Sequence, residues 1–324
     1  MSIFPEIQDK LMTPGEAVKK FIQDGSQIAL GGFTVNRNPM VIAYEIIRQR
    51  LRNLHLVGHS HGQAMDVLIG AGCVQKVEIA YGGNGRFAPT CIRFRRAIEE
   101  GKIAFEDYTN FQMSLRFLAG SLRIPFITTK SGLGTDLIRR EGFAPHLRRE
   151  KKVAAKKLLL MQNPFEEKED PVVILPPLNP DVVIIHSQYV GEDGTIRVKG
   201  LTFTDMELAK AADKVIITCE EIVTRSLIRQ DPDQNSLPGF LVDAFVLAPF
   251  GAHPTACYSF YDYDARHFNL YKEAAPEDPN FNAYLNYWVY GVSSHEEYLE
   301  RVGQPNLTRI RVDPRIGYNS ALPR

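Results

Sequence analysis

The sequence predicts an α/β protein built on an open, mostly parallel sheet with flanking helices. Three observations carry that expectation. Short apolar runs rich in β-branched residues recur at 27–30, 54–57, 77–81, 182–185, 215–218 and 242–248. Several of them end in a turn of glycine and polar residues, and an amphipathic segment follows that turn. Strands alternating with helices need crossover connections, which favour parallel pairing and place ligands beyond the carboxyl ends of the strands.

Taken in order, Thr13-Pro14-Gly15-Glu16 supplies an N-cap, a first-turn proline and a capping-box glutamate, so a helix should run to Gln23 and stop at Asp24-Gly25. The strand at 27–30 breaks at Gly31-Gly32, where a bulky residue could not turn, and Asn38-Pro39 opens a helix carrying Ile42, Ala43, Ile46 and Ile47 on one face. The strand at 54–57 leads into a second polar turn, Gly58-His59-Ser60-His61-Gly62-Gln63, and a short helix at 65–69. The strand at 77–81 ends in a third, Gly82-Gly83-Asn84-Gly85-Arg86. In a parallel sheet these three turns share one edge, where bare backbone N–H groups suit an oxyanion or phosphate.

A charged helix at 93–100, a strand at 103–105 and a helix at 111–122 continue the rhythm, and 125–128 leads into a fourth polar turn at 129–135 that contains Lys130. Residues 139–170 are charged and lack the rhythm, which marks an excursion, partly two-stranded. Strands at 172–175 and 182–185 follow, the second running into His186-Ser187-Gln188. Asp193-Gly194 signals a hairpin with its return strand at 196–198. Thr204 and Asp205 cap a helix to 212, and the strand at 215–218 precedes Glu220-Glu221, read as helix-start residues favoured by the dipole. The tail, about 265–303, reads as helical. Nothing forces two domains, so 1–324 is taken as one.

The 38 basic and 38 acidic residues cancel, leaving no global field for nucleic acid or anionic lipid, so an anionic ligand must be met locally. Cys73, Cys91, Cys219 and Cys257 are widely spread and read as reduced thiols. With no signal-like start and no run long enough to cross a bilayer, the expectation is a soluble cytoplasmic protein.

Gly31-Gly32-Phe33 lacks the third glycine of a dinucleotide fingerprint, so NAD is disfavoured. His59 and His61 would share one side of a strand, yet no further ligands complete a metal set, and polar lining is the better reading. His186 and His253 follow apolar strands and suit a satisfied core. The basic run at 146–157 is interrupted by Glu150 and followed by Glu166, Glu167 and Glu169, which favours a solvated helix face over a phosphate site. A nucleophilic serine elbow is not expected, although Gly58-His59-Ser60-His61-Gly62 has the Gly-x-Ser-x-Gly spacing.

Together, Asp24-Gly25 through Gly31-Gly32-Phe33, Ile185-His186-Ser187-Gln188 with Asp193-Gly194-Thr195, Thr218-Cys219-Glu220-Glu221-Ile222, and Val242-Asp243-Ala244 through Ala248-Pro249-Phe250-Gly251-Ala252-His253-Pro254 and Tyr261-Asp262-Tyr263-Asp264 resemble family I CoA-transferases, nearest to the α subunits of the glutaconate type. The resemblance covers nearly the whole chain. It implies the open α/β sheet of the NagB/RpiA-like superfamily. It also implies a coenzyme A thioester as substrate with no tightly bound cofactor, and a partner β subunit in an α2β2 or larger hetero-oligomer.

In such enzymes a glutamate attacks the acyl-CoA and then carries CoA as an enzyme thioester. The resemblance places that glutamate on the β subunit, and this chain has no Ser-Glu-Asn-Gly-like turn. The expected share of this chain is the acyl pocket: the amides of Gly31, Gly32 and Phe33 for the oxyanion, and Asn36, Arg37, Ser60, His61, Asn84, Gln112 and Lys130 for the substrate. Arg37 and Lys130 are the preferred partners of a free carboxylate. Subunits of an acyl-CoA hydrolase or decarboxylase share the scaffold; Asn110 stands where the hydrolase pattern has an acid, which weakens that alternative.

Overall fold

Period-two alternation sorts the strands of the main sheet between two cores. Ile28 and Leu30 face one, with Leu54, Leu56, Val77, Ile79, Val182, Ile184 and Ile216, while Ala29, Val57, Val183, Ile185, Val215 and Ile217 face the other. The structure, a computed structural model, describes residue 4 and residues 6–322. Its strands are β1 (Gln27–Leu30), β2 (Leu54–His61), β3 (Val74–Gly82), β4 (Ala104–Asp107), β5 (Ile127–Thr129), β6 (Leu159–Gln162), β7 (Pro171–Leu175), β8 (Val182–Gly191), β9 (Ile196–Arg197), β10 (Lys214–Val223) and β11 (Ala244–Leu247). The main sheet runs β11-β10-β8-β1-β2-β3-β4, parallel throughout, with β9 returning antiparallel along β8.

The helices are α1 (Pro14–Phe21), α2 (Met40–Arg48), α3 (Gln63–Gly70), α4 (Ile92–Glu99), α5 (Asn110–Ser121), α6 (Asp136–Arg139), α7 (Asp205–Ala211), α8 (Arg225–Gln230), α9 (Ala265–Ala274), α10 (Asp278–Leu285), α11 (His295–Val302) and α12 (Gln304–Ile310). Helices α1 to α4 and the helical tail cover the first core, and α5, α7 and β7 contribute to the second. The expected capping box forms at α1: the Thr13 hydroxyl accepts the Glu16 amide and Glu16 accepts the Thr13 amide. No helix among the described residues is long and apolar enough to cross a membrane.

Four readings need correction. Strands β2, β8 and β10 outrun their apolar runs and absorb His59–His61, His186–Gln188 and Glu220–Glu221. His186, Ser187 and Glu220 find partners across β8 and β10, whereas Ser60, His61 and Gln188 bond to Asn110, to the Gly31 carbonyl and to the carbonyls of Lys199 and Tyr258. Glu220 is therefore a buried strand residue, not a helix start.

The rhythm also breaks earlier than expected. β5 and β7 leave the main sheet and join β6, from the excursion, in a separate antiparallel sheet ordered β5-β7-β6. The basic run is no solvated helix face: it holds only a single 3₁₀ turn at Leu147–Arg149. Lys157 is buried and donates to Asp107, Leu137 and Arg140, and Arg148 pairs with Glu106.

Candidate active site

The topological switch lies at β1, flanked by β2 on one side and by β8 on the other, and ligands of open parallel sheets settle at such crevices. The turn after β1 folds tightly onto itself. Gly32 has φ +84°, and a Cβ there would come 2.5 Å from the Asn36 and Arg37 carbonyl oxygens, so only glycine fits.

That tightness changes what the turn can do. The Gly31 amide donates to the Ile184 carbonyl at 2.8 Å, Phe33 to Asn36 at 2.9 Å, and Gly32 to Asp205 Oδ1 at 2.9 Å. The three amides expected to face an oxyanion are thus engaged within the chain. Arg37 is corrected likewise. It is buried, pairs with Asp205 at 2.7 Å, and donates to the carbonyls of His186, at 3.0 Å, and Leu201. Its charge is spent joining the β1 turn to β8 and to the loop before α7, so it is no free counter-charge for substrate.

The remaining candidates do gather at this edge, mostly as supports. His61 is buried, its Nε2–H donates to the Gly31 carbonyl at 3.1 Å, and burial pushes its pKa down to about 4, leaving it neutral. Ser60 donates to Asn110 at 2.8 Å. Asn84 is buried and donates to Gln63 at 2.9 Å. Gln112 completes a capping box with Thr109 and donates to the Ser131 carbonyl at 2.9 Å, while the Thr109 and Ser131 hydroxyls meet at 2.8 Å. These bonds tie together the ends of β2, β4 and β5. Lys130 lies exposed next to that junction, paired with Asp170 at 2.6 Å, and Asn36 is half-buried.

What the edge presents outward is aromatic. The Phe33 ring stacks on Phe203 with centroids 3.8 Å apart, and His59 lies 5.7 Å from Phe203 and 6.2 Å from Phe33. Partial burial lowers the His59 pKa, so this ring too favours its neutral form. Phe203 and Asp205 escaped sequence reasoning; both lie in the Leu201–Asp205 segment, where only the cap signal was visible.

Behind the edge, His186 Nε2 and Tyr261 Oη meet Glu220 Oε1 at 2.7 and 2.6 Å, and the Phe250 amide donates to Oε2 at 2.7 Å. His186, Glu220 and Cys257 lie within reach of one metal ion. The carboxylate is already saturated with protein donors, so the arrangement is a hydrogen-bonded brace.

The sequence profile of the coenzyme A transferase family matches residues 11–248, most of the chain and every strand of the main sheet. The chain belongs to the coenzyme A transferase family. The A-type (α) subunit of glutaconate CoA-transferase from Acidaminococcus fermentans is 38% identical over 311 residues, 96% of this chain and 97% of that one. The crystal structure of that enzyme superposes with a TM-score of 0.92, covering 95% of this chain and 98% of the other. The A-type subunit of 3-oxoadipate CoA-transferase from Pseudomonas knackmussii is 28% identical over 298 residues, 91% of this chain and 99% of that one. The crevice at β1 is thus the switch point of a CoA-transferase sheet.

Proposed function

We propose that the chain is the α subunit of a cytoplasmic heteromeric CoA-transferase that moves CoA between a short dicarboxylic acyl-CoA and an acceptor acid. End-to-end similarity to the A-type subunit of glutaconate CoA-transferase is the observation that carries this reading. The chemistry of the edge supports it. Asp205, ion-paired with Arg37 and bonded to the Gly32 amide, and Glu220, bonded to His186, Tyr261 and the Phe250 amide, are both buried, whereas a nucleophile must be exposed to its electrophile. This accords with an attacking glutamate supplied by a β subunit, as the family resemblance implies.

In the reaction so read, the partner's carboxylate oxygen bonds to the thioester carbonyl carbon and the CoA thiolate leaves. The thiolate then attacks the glutamyl carbonyl and releases the free acid. The resulting enzyme thioester passes CoA to the acceptor by the reverse sequence. Phe33, His59 and Phe203 form an aromatic wall that excludes water from the acyl group. Asn110, with its Oδ1 engaged by Ser60, offers its Nδ2 as an oxyanion donor in place of the engaged glycine amides. Lys130 meets the distal carboxylate by giving up Asp170 in exchange for it.

The hydrolase alternative is disfavoured because an amide at Asn110 cannot serve as a base. Co-expression tests the reading: the chain alone should transfer no CoA, and the mixed complex should transfer it from acetyl-CoA to a dicarboxylate. Transfer by the isolated chain would refute it.

A further inference from the structure

Strand β6 is one of the two edges of the small antiparallel sheet, β5 being the other, and it carries no device that protects an edge. Leu159, Leu160 and Met161 are 46%, 56% and 40% exposed, with no charge or proline within the strand. Register with β7 sets Leu160 beside Val173, and Leu159 and Met161 beside Ile174 and Val172, so both faces of the edge are apolar. Phe165, in the loop that follows, is 92% exposed. Isolated exposed apolar residues need no explanation, but this is a contiguous strand edge with unpaired backbone on one side.

The flanking charges indicate what covers it. Lys156 stands exposed on the amino side, and Glu166, Glu167 and Glu169 stand exposed on the carboxyl side, which stays net acidic although the exposed Lys168 lies among them. Two such strands running antiparallel about a two-fold axis set each basic end against the acidic end of the other. A parallel pairing sets like on like. We propose that β6 pairs with β6 of a second copy of this chain, joining two small sheets into one six-stranded antiparallel sheet. The proposal rests on reading the chain as one subunit of a mixed assembly, and makes this contact the one that unites two αβ units.

Light scattering on the purified mixed complex tests it. Leu160→Asp with Met161→Asp should lower the mass to about half, with the two chains still at one to one and CoA transfer per site retained. Lys156→Glu should weaken association about five-fold, and adding Glu166→Lys with Glu167→Lys should restore it. That rescue decides the matter even where the double aspartate variant fails to fold. An unchanged mass, a rescue that fails, or loss of the β subunit in place of halving would overturn the proposal. Failure of the functional reading would instead show in the unsubstituted complex, as absent transfer at any mass.

Discussion

Asp205 accepts the Gly32 amide at 2.9 Å with one carboxylate oxygen and pairs with Arg37 at 2.7 Å through the other. One buried side chain at the start of α7 thereby fixes both ends of the β1 turn. Asp205→Ala leaves the buried Arg37 guanidinium without its partner and should destabilise the chain by about 3–5 kcal/mol. In the mixed complex kcat/KM should fall by up to about 100-fold through misplacement of Phe33. Asp205→Asn should lie between, since it retains an acceptor for Gly32. Urea midpoints and initial rates read both effects, and wild-type behaviour of Asp205→Ala would remove the bracing role.

Buried histidines set the acid limit. In the folded chain His61 titrates at about 4 because burial disfavours its charged form, against 6.5 when unfolded. On acidification the unfolded state therefore takes the proton first. The stability contributed by neutral His61 is complete above pH 6.5 and is lost as pH falls from 6.5 to 4, a total of about 3 kcal/mol. His267, held down to about 3, acts in the same direction, while Asp66, pushed up to about 6 by burial, opposes them. His61→Gln should flatten the stability profile in that window by about 1.4 kcal/mol per pH unit. An unaltered slope in chemical denaturation across pH 4–6.5 would contradict this.

The sheet and the sharing of one edge by its glycine turns were legible because alternation and parallel pairing are local consequences of the sequence. The full length of β8 and β10 was not, since His186 and Glu220 satisfy each other only across strands distant in sequence. The same reasoning explains Arg37: nothing near it shows that Asp205 will neutralise it. Phe203 gave no warning, because its stacking on Phe33 depends on a loop with φ +40° at that residue. Sequence placed the right loops together but not which side chains turn inward.

Lys130 is the cation of the candidate set that stays exposed, so it can exchange Asp170 for a substrate carboxylate. Lys130→Ala should raise KM for a dicarboxylate acceptor by about ten-fold and leave acetate within about two-fold. Folding stability should hardly change, since an exposed pair contributes little. Equal losses for both acceptors would remove the counter-charge role.

The thiols give a check on packing. Cys73, Cys91, Cys219 and Cys257 are buried, and burial raises all four pKa values, Cys73 to about 11. An aromatic disulfide reagent should find no rapidly reacting thiol in the native chain and all four after denaturation. A fast-reacting cysteine in the native chain would show that the core around it opens.

Borohydride trapping in the mixed complex during turnover measures the central claim directly, because it reduces an enzyme-bound CoA thioester and leaves the glutamate marked. Peptide mapping should place the mark on a β-subunit glutamate and leave this chain unmodified. A mark on this chain, for which the exposed Glu221 on β10 is the nearest acceptor to the Glu220 brace, would contradict the account.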